Sequence, residues 1–441
     1  MSKFAENLAA QFRALAGDLP GAANAQVADA RKRAFEQFNA AGVPNLKVED
    51  WKYTDISAIR DTTYTARPEP AAAATLDLDS VDLPVFTPLR MVFVDGRYSA
   101  ALSTLRELPD SVAIDRLAVL LADDTTDLTA HLDRHDAPFV ALNSAFLADG
   151  VHMTIADGCE CATAIHIVFI NTPAAEQQLT TVRLIVDAGR NSRCTVVETH
   201  FSLPGASGLT NALTELEADE GSTITHYRVQ TDDAGTHHIG NVTATAARDA
   251  RIETYSFAFG GGITRIDVNA DLTGNGASVA LNGLFMADGH QHIDHHTRIR
   301  HLVGNTHSSE NYKGIADGNG RGVFNGKIYV AENAQKIEAL QSSKNLLLSD
   351  GAEIDTKPEL EIYADDVKCA HGATVGQLDE NAYFYLRSRG VDGHTARSIL
   401  TFAFAADIAA GITIDALREW IERRIRERTH ATGINEIDGR E

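Results

Sequence analysis

Six histidines fall within the stretch GHQHIDHHTRIRHLVGNTH: His290, His292, His295, His296, His301 and His307. If this stretch is a strand, side chains alternate, and His290, His292, Asp294 and His296 project to one face. Three imidazoles and a carboxylate together form a donor set for zinc, iron or manganese. The competing reading is that these histidines are strand residues bonded to neighbouring segments, with no metal involved. A second pair of donors stands in DDVKCAHGATVG, as Cys369-x-His371. Both share parity with Val367, so an inward Val367 carries them inward too. Two donors do not close a metal site, which usually takes four; the rest would come from elsewhere in the chain or from another chain.

Other chemistry is harder to find. Cys159-x-Cys161 lacks the two-residue gap of zinc and redox CxxC motifs. Burial as small apolar groups is the better account of both thiols. There is no GxxxxGK[ST], no GxSxG, and FGGGITR lacks the strand–loop–helix setting of a dinucleotide site. No two carboxylates stand at a spacing that nominates an acid/base pair.

The elements that must position these residues change character along the chain. Phe4, Leu8, Phe12 and Leu15 make one helical stripe, and a second helix runs from about Ala22 to Ala41, stopped by Gly42 and Pro44. A Pro/Ala-rich connector, TARPEPAAAATLDLDSVDLP, follows. From about Met91, short β-prone runs alternate with Gly, Asn and Asp, as in HIVFI, CTVVETHFS and TITHYRVQT. Gly158, Gly189 and Gly221 stand 31 and 32 residues apart, and later turns come closer. Strands repeated without intervening helices predict stacked coils, a right-handed parallel β-helix. The alternative is a jelly-roll or cupin-like sandwich, which would make the histidine cluster the site of a metal-dependent enzyme. A cupin site opening at His290-x-His292 would want a glutamate a few residues on, and the next one is Glu310. After Gly376 helices return: Asp379 caps ENAYFYLRSR, Leu400, Phe404 and Ile408 form a ladder, and Ile414, Leu417, Ile421 and Ile425 form a stripe. The last helix also carries Arg418, Arg423, Arg424, Arg426 and Arg428, either a solvated face or a docking face for an acidic partner. The mainly β chain thus divides into 1–85, a helical region and connector; 86–378, the β-helix; and 379–441, a helical region.

The 441 residues carry a net charge of −22, which repels phosphate backbones and anionic lipid and speaks against nucleic-acid or membrane-surface binding. Lys3, Glu6, Arg13 and Asp18 interrupt the first apolar residues, unlike a secretory signal, and no apolar run is long enough for a membrane span. Four cysteines are too few for a disulfide framework, so a reducing cytoplasm is expected.

Three blocks, EDWKYTDI (49–56), PFVALNSAFLADGVHM (138–153) and the span from Gly283 to Gly390 that includes SENYKGIADGNGRGVFNGKIYV and ADDVKCAHGATVG, resemble the SufB/SufD scaffold family of the SUF iron–sulfur cluster assembly system. WKYT and the scarcity of cysteine are similar to SufD rather than SufB. The resemblance covers nearly the whole chain. It implies a right-handed parallel β-helix flanked by helical regions, and a scaffold rather than an enzyme. It further implies pairing with SufB, docking of the ATPase SufC on the C-terminal helices, and sulfur supply to the complex from SufS/SufE. A homodimer is implied when SufB is absent. His371, with Cys369 the weaker candidate, is then implied as a donor to a transient iron–sulfur cluster or iron at the SufB interface. No tightly bound cofactor is implied for the isolated chain.

Overall fold

The computed structural model describes residues 2–66, 76, 78, 81–123, 125–134, 137–173 and 176–429, so most of the Pro/Ala-rich connector lies outside the described residues. Alternate strands go to opposite sheets, and within each sheet they stack in parallel, giving a solenoid of about 8 coils with one strand per sheet in each coil. One sheet rises from Asp149–Ile155 through Gln178–Ala188, and later His292–His301, to Glu353–Ile362; the other rises from Ile165–Asn171 through Arg193–Ser202, and later His307–Ala316, to Val367–Gly376. Leu179, Leu209, His237, Ile263, His292, Arg321 and Glu353 stand in one column, so a coil takes 26 to 32 residues.

The turn punctuation has a physical basis. Gly158, Asn191, Gly221, Asp249, Gly276, Asn305 and Lys336 form a column, each with its N–H donated to a turn carbonyl of the next coil. All seven have positive φ, from 53° to 79°. Gly, Asn and Asp tolerate that region best, which is why they recur. Asn191, not Gly189, is the stacked residue of its turn. Inside the solenoid, apolar residues of facing sheets interdigitate, among them Leu184, Val186, Leu216, Val242, Ile252, Ala270 and Ile299. Cys159, Cys161 and Cys194 are buried in the same core, as small apolar side chains should be.

The outer face of the first sheet is covered over several coils. Helices Lys3–Leu15, Ala25–Ala41 and Pro138–Phe146 bury Phe4, Leu8, Phe12, Phe35, Phe38 and Phe146 against Leu179, Leu209, Ile239 and Ile263 of the sheet. The carbonyl end of helix Pro138–Phe146 is satisfied by buried Arg31, which donates to the carbonyls of Ser144, Ala145 and Leu147. On the opposite side, helices Gly393–Ala409 and Asp415–Arg428 lie on the second sheet. There Leu417, Trp420, Ile421 and Ile425 pack with Tyr227, Tyr255, Phe257 and Leu284.

Candidate functional site

The last coil ends the stack, and strand Val367–Gly376 pairs on one side only, with Ile337–Leu347. The shared parity of Val367, Cys369 and His371 is right, but the inference of burial is not. Val367 and Cys369 pack beside Ile337 and Ala339, but among the described residues no further coil stacks on this strand, so His371 is exposed and Cys369 only half-buried. Burial pushes the Cys369 thiol up from its usual range, against a lowering hydrogen bond from the Ala339 backbone. A thiol in that condition is a poor ligand until a cation or positive neighbour draws off its proton. His371 is thus the more available donor. Among the described residues, no group of three His, Cys, Asp or Glu is arranged to hold a metal ion.

The histidine-rich strand resolves differently, and of the two readings it is the one with histidines bonded to neighbouring segments that the geometry matches. His292, Asp294 and His296 do share the outward face, but the segment Glu49–Thr54 is laid over it. Thr54 donates its hydroxyl to Asp294 at 2.5 Å and accepts from His292 Nε2 at 3.0 Å. Arg265 donates to Asp294 at 3.1 Å and to the Asp50 carbonyl, and its guanidinium lies 3.9 Å over the Trp51 ring. Lys357 pairs with Glu49 at 2.8 Å. Burial would raise the Asp294 carboxyl, yet His296 and Arg265 beside it hold it below the usual range. The other histidines diverge: His295 and His301 are buried, His301 bonding to Thr306 and Ser308, while His290 and His307 are exposed. The cluster is the socket for the WKYT segment.

Nearer the start of the stack lies a buried polar network that sequence reasoning missed. Glu198 accepts from His200 at 2.5 Å, Arg228 at 2.6 Å, Thr214 at 2.7 Å and His226 at 3.0 Å. Arg228 also donates to His238, whose other ring nitrogen meets Asp232 at 3.0 Å. Burial alone would raise Glu198; Arg228 and His200 hold it well below its usual range. His200 is in turn pushed down to about 4 by burial and then by Arg228. Further along, Val196, His226, Thr254, Leu281, Glu310, Gln341 and His371 stand in one column, coil upon coil. Burial pushes Glu310 up to about 7, against hydrogen bonds from Thr297 and Gln341. The available signal was period-two spacing in CTVVETHFS and TITHYRVQT. It misleads because alternation normally puts polar residues towards solvent, whereas here helices cover the apolar outer face and the polar residues point inward.

The C-terminal arginines are largely committed within the chain. Arg423 and Arg424 pair with Asp82 at 2.6 and 2.8 Å, Arg426 with Glu422, and Arg418 with Asp415. Arg428 donates to the carbonyls of Phe259 and Met286. Neither a solvated face nor a free docking face describes them. The helix that does stand free is Glu380–Ser388, capped by Asp379 as expected but burying none of its residues. Phe384 and Tyr385 there are 71% and 58% exposed.

The chain is a parallel β-solenoid with helices towards both termini, and its last coil ends on an edge strand that carries Cys369 and His371. Two family models match the sequence end to end: the SufBD N-terminal region over residues 3–167, and the SUF-system iron–sulfur cluster assembly SufBD core domain over residues 169–404. The chain belongs to the SufBD family of iron–sulfur cluster assembly proteins and is of the SufD type. It is 32% identical to the iron–sulfur cluster assembly protein SufD of Escherichia coli K12, over 89% of this chain and 91% of that one. It is 28% identical to a SufBD family protein of Synechocystis, over 90% of each, and 23% identical to SufD of Bacillus subtilis, over 90% and 93%.

Proposed function

We propose that the chain is the scaffold subunit that pairs with SufB and docks SufC, and that Cys369 and His371 lend donors to a cluster assembled at the SufB interface as cargo. One observation carries this reading: both candidate donors sit on a ten-residue edge strand that is paired on one side and exposed along most of its length. Long uncovered edges are templates for pairing, and proteins rarely leave them bare. A site that takes half its ligands from each subunit also suits a cluster that must be released. Helix Glu380–Ser388, capped yet unburied and bearing Phe384 and Tyr385, is the surface offered to SufC. The chain itself catalyses nothing in this reading, and ATP hydrolysis and sulfur supply by SufS/SufE belong to its partners.

The test is co-expression with SufB and SufC followed by affinity purification. Both should co-purify with the wild-type chain; failure of SufB to do so sinks the pairing. Phe384→Asp should lose SufC, keep SufB and leave the melting temperature unchanged. A truncation before the last helix would be a poor test, because it strips Leu417, Trp420, Ile421 and Ile425 from the solenoid.

A further inference from the structure

We infer that Gln341 is the positioning residue for His371: its side-chain oxygen accepts the imidazole N–H and leaves the other ring nitrogen to the metal. This rests on the reading of His371 as a donor. Three observations converge on it. Gln341 is the register partner of His371 on the adjacent strand, so the two Cα atoms are about 4.8 Å apart. Gln341 is 4% exposed, and its Oε1 has no hydrogen-bond partner among the described residues. A buried amide oxygen left unpaired is destabilising, so its retention calls for a donor, and His371 is the next residue in the column. Finally, the amide is held one way round. Its Nε2 donates to Glu310 Oε2 at 2.5 Å, which directs the oxygen away from Glu310. Space for that amide comes from Gly326, where an added Cβ would collide with Gln341 Nε2.

The resulting order is Glu310 carboxyl, Gln341 amide, His371 imidazole. Histidines that bind metals commonly donate the second ring N–H to a carbonyl or carboxylate, which fixes tautomer and orientation. Here a free, exposed imidazole on an edge strand gains that anchor from inside the solenoid. Gln341 never touches the metal; it acts through His371.

The experiment uses the full chain with 15N-labelled histidine, the His371 signals being assigned by their loss in His371→Ala. The wild type should show one dominant tautomer. Gln341→Met, similar in size but without an acceptor, should give the mixture of a free imidazole, and Gln341→Glu should restore the dominant form. An unchanged tautomer ratio in Gln341→Met overturns the inference. Titration with Co(II) adds a second readout: Gln341→Met should bind about 10-fold more weakly, and equal affinity would also overturn it. If His371→Ala binds Co(II) as the wild type does, the donor reading falls, while the tautomer ratio still decides the role of Gln341.

Discussion

The strand His292–His301 and the strand Val367–Gly376 make opposite use of the same chemistry. The first is dense in imidazole and holds its outward donors in hydrogen bonds and ion pairs; the second has one histidine and one cysteine and leaves both accessible. Position in the stack decides the difference. That inner coil has neighbours above and below and the 49–54 segment across its outer face, so His292, Asp294 and His296 acquire protein partners. The last coil has a neighbour on one side only. In this solenoid, then, ligand-type side chains are left uncovered at the end of the stack, and their density within it reads as structure.

Breaking the tied region should cost most. Asp294→Ala removes the carboxylate that Thr54, Arg265 and His296 share, and leaves Arg265, whose side chain is 3% exposed, with Asp267 as its remaining ion-pair partner. Loss of one member of a buried ionic network costs about 3 to 5 kcal/mol, and the lower figure is expected because Asp267 remains. Urea melts should show this loss, and limited proteolysis should show the 49–54 segment released. If both are unchanged, the histidine-rich strand is not the socket described here.

The lumen can be probed between the two extremes. Glu310 is fully buried and its pKa is raised from 4.5 to about 7. A carboxyl raised on folding binds its proton more tightly in the native state. Its penalty is therefore absent below about pH 4.5, grows as pH rises towards 7, and is complete above that. One pKa unit is worth 1.36 kcal/mol, so the penalty reaches about 3 kcal/mol. Glu310→Gln keeps the size and removes the charge. It should stabilise the protein by up to about 3 kcal/mol at pH 8 and change little at pH 4.5, as measured by urea melts at both. Equal effects at the two pH values would show that Glu310 does not titrate in this window.

The stacked coils were legible because turns that need positive φ recur in step with the coils, as Gly158 and Gly221 do two coils apart, and because strands followed one another without helices. The sheet face of each residue was legible by parity, which placed His292, Asp294 and His296 together. What covers a face was not, because that depends on contacts distant in sequence: Trp51 over Arg265 joins residues far apart in the chain, and Asp82 with Arg423 more so. The same gap made Cys369 and His371 look buried. Parity says which residues share a face; only the end of the stack says whether anything lies on it. The lumen network escaped for the reverse reason, since alternation assigns Glu198 and Arg228 to solvent while the apolar side of their strands is the one that helices cover.

The smallest expected effect carries the sharpest form of the contrast. His371 is exposed and on an edge, so His371→Ala should change stability by no more than about 0.5 kcal/mol. Asp294→Ala, in the region with more histidine, should cost several times that. Cluster maturation in cells should rank them differently: His371→Ala lowers it with the protein folded and abundant, whereas Asp294→Ala lowers it only as far as it lowers the amount of folded protein. Assaying a cluster-dependent enzyme against the immunoblotted level of each variant separates the two. If His371→Ala instead destabilised the chain as strongly as Asp294→Ala, the end of the stack would be as structural as its middle, and its accessible donors would have to be sought elsewhere.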